Sequence, residues 1–90
     1  MSYTFDAVIK NKLGIHARIA ALLAKTVSKY NAEAYISFHG DKVNIKHLID
    51  VISLSITQNS VVEINVEGKE AAECSKELQH LIENSFGEMS

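Results

Sequence analysis

Histidine carries most of the chemical potential in this chain. The four imidazoles, His16, His39, His47 and His80, could serve as proton shuttles, nucleophiles or metal ligands. No two of them stand in an HxH or HxxxH spacing, which would place both rings on one metal, so a metal site has weak support. No serine–histidine–acid arrangement with a known local context is present, nor a phosphate-binding P-loop. The lone cysteine, Cys74, falls on an apolar helical stripe, where a buried structural thiol is expected rather than a reactive one.

His16 stands apart because of its surroundings. Gly14-Ile15-His16-Ala17-Arg18 places the imidazole where a glycine-containing loop meets the first turn of a helix. Backbone N–H groups there lack intrahelical acceptors, and the helix dipole favours an anion. Arg18 adds a forked donor suited to phosphoryl oxygens. Loop, imidazole, helix start and guanidinium together describe a site that could accept and steady a phosphoryl group. On residue chemistry alone the plainer alternative is the better supported: His16 as a weak N-cap and Arg18 as a solvated first-turn side chain.

Such a site needs elements to hold it, and the hydrophobic period supplies them. Tyr3, Phe5, Ala7 and Ile9 alternate with Thr4, Asp6 and Val8, which predicts a half-buried strand. Residues Ala17–Tyr30 read as a helix, with Ala20, Leu23, Ala24 and Val27 on its inner stripe. Ala34, Ile36 and Phe38 predict a second strand, His39-Gly40-Asp41 a turn, and Lys42–Ile45 a short third strand. Leu48 to Ile56 reads as a short helix. Val62, Ile64 and Val66 alternate with Glu63, Asn65 and Glu67 in a fourth strand. A last helix is expected over Glu70–Ser85, with Ala71, Cys74, Leu78, Leu81 and Ile82 inward and Gly87 as its C-cap glycine. The order is βαββαβα, an α+β open-faced sandwich with helices on one face of a four-stranded antiparallel sheet.

Ninety residues, 47% of them hydrophobic, suit a single domain spanning 1–90 with one thin core. Nine basic against eleven acidic side chains, a net charge of −2, argue against general nucleic-acid binding. One cysteine excludes an internal disulfide framework and fits a reducing compartment. The N-terminus shows no basic segment followed by an apolar stretch, so no signal peptide is expected. The longest apolar run, Ile19 to Ala24, is too short to cross a bilayer.

The stretch Asn11-Lys12-Leu13-Gly14-Ile15-His16-Ala17-Arg18 resembles the active-site segment of the HPr family, the histidine-containing phosphocarriers of the bacterial sugar phosphotransferase system. The similarity continues through Ala24-Lys25-Thr26-Val27-Ser28-Lys29-Tyr30, Gly40, Val43-Asn44-Ile45-Lys46 and Val51-Ile52-Ser53-Leu54, and so spans nearly the whole chain. It implies three helices on one side of a sheet ordered first, fourth, second, third strand. It implies phosphorylation of His16 through Nδ1, with Ala17 and Arg18 also binding the phosphoryl group. Leu22, Lys25, Leu48, Ile49 and Ile52 would form the partner-docking surface. The partners implied are enzyme I as donor and the enzyme II A components as acceptors, with no cofactor. A cytoplasmic monomer without membrane insertion is expected. The alternative is a non-transferring regulatory module that keeps the fold and docking face.

Three positions depart from the family pattern. Ile19 stands where proline usually follows the arginine; proline suits a first helical turn, and isoleucine restores an N–H donor there. His47 occupies the position of the regulatory serine of Gram-positive members, and it cannot take that modification. Asp50 replaces a more usual glycine or lysine, adding negative charge to the docking helix.

Overall fold

The computed structural model describes residues 1–88. Its strands are β1 (Ser2–Val8), β2 (Glu33–Phe38), β3 (Asp41–Asn44) and β4 (Val61–Glu67), and its helices α1 (Ala17–Ser28), α2 (Leu48–Ser53) and α3 (Ala71–Glu83). The four strands make one antiparallel sheet in the order β1-β4-β2-β3. Three helices cover one face and leave the other open, as the alternating pattern required.

Side-chain alternation sets the register. Ile64 of β4 lies opposite Phe5 of β1 and Ile36 of β2, and Val66 lies opposite Tyr3 and Ala34. Val62, Ile64, Val66, Ala34 and Ile36 are buried under the helices, where they meet Ile19, Ala20, Leu23 and Val27 of α1 and Cys74, Leu78 and Ile82 of α3. A one-residue slip would turn this set to solvent, so the core enforces the pairing. The polar partners, Asp6 opposite Glu63 and Glu33 opposite Glu67, face water. Like charges directly opposite are unfavourable, and solvent screening moderates the repulsion on an open face.

The β2–β3 hairpin closes through His39 and Gly40 alone, with φ of 51° and 86°. Two successive positive φ values match a type I′ turn, whose twist suits the flanking strands and which favours glycine. The His39 ring stacks on Phe38 with centroids 3.9 Å apart.

Several element boundaries differ from those expected. The first helix stops at Ser28 rather than Tyr30, its end closed by Lys29 N–H to the Thr26 carbonyl. The third strand starts at Asp41 and ends before Ile45, which is fully buried beyond it. The short helix ends at Ser53 instead of Ile56, because the chain turns left-handed at Ser55 (φ 54°). Tyr3, expected inward, is 39% exposed on the edge strand, and Ile9 is buried just past the strand end. The last helix ends at Glu83 with Asn84 as its cap, so Gly87 is not its C-cap. The left-handed turn after α3 falls on Ser85, Phe86 and Gly87, and burial of the Phe86 ring holds it.

Candidate functional site

The loop before α1 is held from three sides. The Gly14 N–H donates to the Asn11 carbonyl (3.1 Å), and the Asn11 side-chain amide returns a bond to the Gly14 carbonyl (2.7 Å). The Ile15 N–H donates to the Ile56 carbonyl (3.0 Å). Gly14 adopts a φ of +65° against the backbone of Ile56 and Thr57, leaving no room for a Cβ. Asn11 and Ile15 are buried, so the loop delivers the next residue, His16, from a fixed base.

His16 is the N-cap of α1, yet its side chain makes no capping hydrogen bond. The first helical bond runs from the Ala20 N–H to the His16 carbonyl (2.9 Å). The amides of Ala17, Arg18 and Ile19 precede that bond and have no helical acceptor. Ile19 is fully buried in the core, so the residue in place of proline fastens the first turn by packing.

The imidazole is engaged elsewhere. His16 Nε2 lies 2.9 Å from Oε2 of Glu88. The same carboxylate oxygen accepts from the Arg18 guanidinium, and Oε1 accepts from the Asn11 amide at 2.8 Å. The bond from His16 is the main cause holding the Glu88 carboxyl below its ordinary value; Asn11 and Arg18 add to it and burial opposes it. A group so held is ionised at neutral pH, and an ionised carboxylate can only accept. The His16 contact therefore requires a proton on Nε2. Among the described residues no hydrogen bond reaches Nδ1. A shallow depression lined by Lys12, Leu13, Arg18 and Glu88 opens beside this cluster.

A family model described as "PTS HPr component phosphorylation site" matches residues 3–84. The chain belongs to the HPr family of phosphocarrier proteins. Phosphocarrier protein HPr of Xylella fastidiosa (strain 9a5c) is 34% identical over 83 residues, 92% of this chain and 93% of that protein. The HPr of Neisseria meningitidis serogroup A is 32% identical over 80 residues, covering 89% and 90%. Among solved structures, HPr-C-His from Thermoanaerobacter tengcongensis superposes with a TM-score of 0.92 at 39% identity, covering 98% of this chain and 99% of that one. The family model's own match ends at residue 84, before Glu88.

Other residues expected to matter in an HPr-family chain lie as follows. Ile49 (71% exposed) and Leu48 (37%) present apolar surface on α2, while Val51 is fully buried. Leu22 and Ile52 are half-buried against the core and offer only part of their side chains; Lys25 is exposed on α1. Leu13, 69% exposed, adds apolar surface on the loop before His16. His47 is the N-cap residue of α2, 3.5 Å from the Asp50 carboxylate. His80 is on α3 and His39 in the hairpin. Among the described residues no three His, Cys, Asp or Glu side chains gather as metal ligands, and no helix is long and apolar enough to cross a membrane. Cys74 is buried on α3, and burial first of all pushes its thiol up to about 11. A groove between β1 and α3, lined among others by Phe5, Lys10 and Gln79, contains none of the expected site residues.

Sequence reasoning missed two members of the cluster. Asn11 carried a usable signal, because an asparagine three residues before a glycine is a turn former through its own side chain. Glu88 carried none.

Proposed function

We propose that the chain accepts a phosphoryl group on Nδ1 of His16 from phosphorylated enzyme I. It then passes that group to enzyme II A components in phosphoenolpyruvate-dependent sugar uptake. One observation carries the reading: the imidazole of His16 and the guanidinium of Arg18 converge on a single oxyanion, Oε2 of Glu88, at the head of a twelve-residue helix. Groups arranged to share one anionic oxygen are suited to a phosphoryl group in the same neighbourhood.

The chemistry is a displacement at phosphorus. The Nδ1 lone pair forms the new P–N bond while the bond to the donor breaks, its electron pair leaving with the donor nitrogen. The transferring group is loosely bonded and anionic, so the catalytic demand is for positioning and charge stabilisation. The Arg18 guanidinium and the amides of Ala17 and Arg18, which have no helical acceptor, would supply these. No metal or organic cofactor is required by this scheme. The protein would act as a cytoplasmic monomer that docks its partners through α2 and the exposed end of α1.

The test is incubation with enzyme I and labelled phosphoenolpyruvate. Wild-type protein should acquire one acid-labile, alkali-stable phosphoryl group. His16→Ala should acquire none, and Arg18→Ala should acquire it at least about tenfold more slowly with its fold intact. Undiminished labelling of His16→Ala would sink the assignment. The regulatory alternative would gain if wild-type protein bound enzyme I without being labelled.

A further inference from the structure

We infer that Glu88 is a positioning residue for the nucleophile: its carboxylate accepts from Nε2–H of His16 and thereby leaves the Nδ1 lone pair as the reacting one. The inference rests on the phosphocarrier reading and extends it to a residue beyond the family model's match, residues 3–84.

Three observations carry it. The first is the 2.9 Å contact from His16 Nε2 to Glu88 Oε2. A neutral imidazole holds one proton, and the hydrogen bond made by one nitrogen decides which nitrogen stays free. The second is that Glu88 is itself held. Asn11, buried in the loop beneath, donates to Oε1 at 2.8 Å, Arg18 donates to Oε2, and only 13% of the Glu88 side chain remains exposed. A carboxylate fixed by two other donors can orient a ring; one swinging in solvent cannot. The third is the backbone that brings it there. Ser85 and Phe86 both take positive φ, 54° and 56°, a region that a bulky residue such as phenylalanine rarely enters. That turn, anchored by the buried Phe86 ring, folds the segment after α3 back over the start of α1.

The arrangement acts during transfer as well as before it. When the Nδ1 lone pair bonds to phosphorus, Nε2 keeps its proton and the ring becomes a phosphoryl-imidazolium with positive charge. The electron pair of the broken bond leaves with the donor. No proton moves at His16. A carboxylate on Nε2–H stabilises that charge by the same logic as the acid that orients a catalytic histidine in hydrolase triads.

The test uses the intact protein with phosphoramidate as the phosphoryl donor, so that partner docking plays no part, together with 15N–1H spectra of the His16 ring. Wild-type protein should show a single Nε2–H tautomer, with that proton protected from exchange. In Glu88→Ala the protection should be lost, the ring nitrogens should move toward a tautomer mixture, and phosphorylation should slow about tenfold or more. Glu88→Gln can still accept from Nε2–H but lacks the charge; it should keep the tautomer and fall between the two in rate. Slower phosphorylation of Glu88→Ala with an unchanged ring spectrum would mean that Glu88 acts through Arg18 alone, and would overturn the inference. So would equal or faster phosphorylation, the latter marking Glu88 as a competitor for the phosphoryl position. A wild-type protein that enzyme I cannot label would remove the proposed function, whereas the ring spectrum would still report whether Glu88 holds His16.

Discussion

Gly14 rests directly on the backbone of Ile56 and Thr57: a Cβ at Gly14 would overlap the Ile56 carbonyl oxygen and lie 2.8 Å from Thr57 Cα. The contact joins the loop carrying His16 to the segment that follows α2. Gly14→Ala must combine a left-handed alanine with this overlap, and should destabilise by about 2 kcal/mol or more. Gly40 is the control, since its φ is also positive but nothing lies within 4 Å of an added Cβ; Gly40→Ala should cost about 1–2 kcal/mol. Denaturant unfolding of both variants measures the difference. Gly14→Ala should also slow phosphoryl acceptance in its folded fraction, because the displaced loop moves His16. Equal destabilisation by the two substitutions would show that the Gly14 contact is loose.

Ile49 and Val51 are two residues apart on α2 and have opposite fates. Val51 is fully buried, whereas Ile49 is 71% exposed. Ile49→Glu should change stability by no more than about 0.5 kcal/mol and weaken binding to enzyme I at least about tenfold, as expected for an apolar anchor in a docking surface. Val51→Ala should cost about 1–3 kcal/mol of stability through the cavity it leaves. Calorimetric binding and thermal unfolding of the pair separate docking from core. Comparable losses of binding and stability in Ile49→Glu would place Ile49 in the core.

The Tyr30 hydroxyl donates to Glu77, which also accepts from Lys29. That bond first, then burial, pushes the phenol up to about 12. Tyr30 is harder to ionise folded than unfolded. The stability it contributes is complete below its usual value near 10 and is lost as pH rises toward 12. Glu77 has the opposite sign. The bonds from Lys29 and then Tyr30 hold its carboxyl low, so its contribution is present above the ordinary carboxylate value and is lost as pH falls through the depressed one. Absorbance titration should show one of the three tyrosines ionising late, and Glu77→Gln should bring it back toward 10. A single common transition near 10 in the wild-type protein would contradict the contact.

His47 begins α2 without a hydroxyl, at the place where the family resemblance puts a regulatory serine. The nearby serines offer no equivalent. The Ser53 hydroxyl bonds back to the Ile49 carbonyl at 2.8 Å, and Ser55 lies past the helix in a left-handed turn. No switch by serine phosphorylation is expected at this helix. The check supplies ATP and the family's serine kinase, with an ordinary HPr as positive control. Stoichiometric incorporation at Ser53 or Ser55 would show that the switch had moved.

Much of the architecture was legible because it is written in local period. Val62, Ile64 and Val66 alternate with polar residues, and a strand so patterned has one face to bury. Ala20, Leu23 and Val27 recur at helical spacing, and the helix they define lies on that face. His16 could be placed at a loop–helix junction because Gly14 precedes it and an apolar helical stripe follows. On α2 the family resemblance named Leu48, Ile49 and Ile52 as docking residues; Leu48 and Ile49 turn outward, whereas Ile52 is half-buried against the core. Boundaries were less legible where left-handed residues other than glycine end an element, as at Ser55 and Ser85, since no residue type announces them.

What the tertiary structure alone decided is the third group of the site. Glu88 meets His16 across 72 positions of sequence, and nothing in the residues around either one names the other. A hydrophobic period states which face of an element is buried; it does not state what that face will meet. A polar contact between distant segments depends on where the sheet, the three helices and the left-handed turn at Ser85 and Phe86 bring the chain after everything else has packed. The core therefore sets the position of Glu88, and the carboxylate finds its donors only once that core exists.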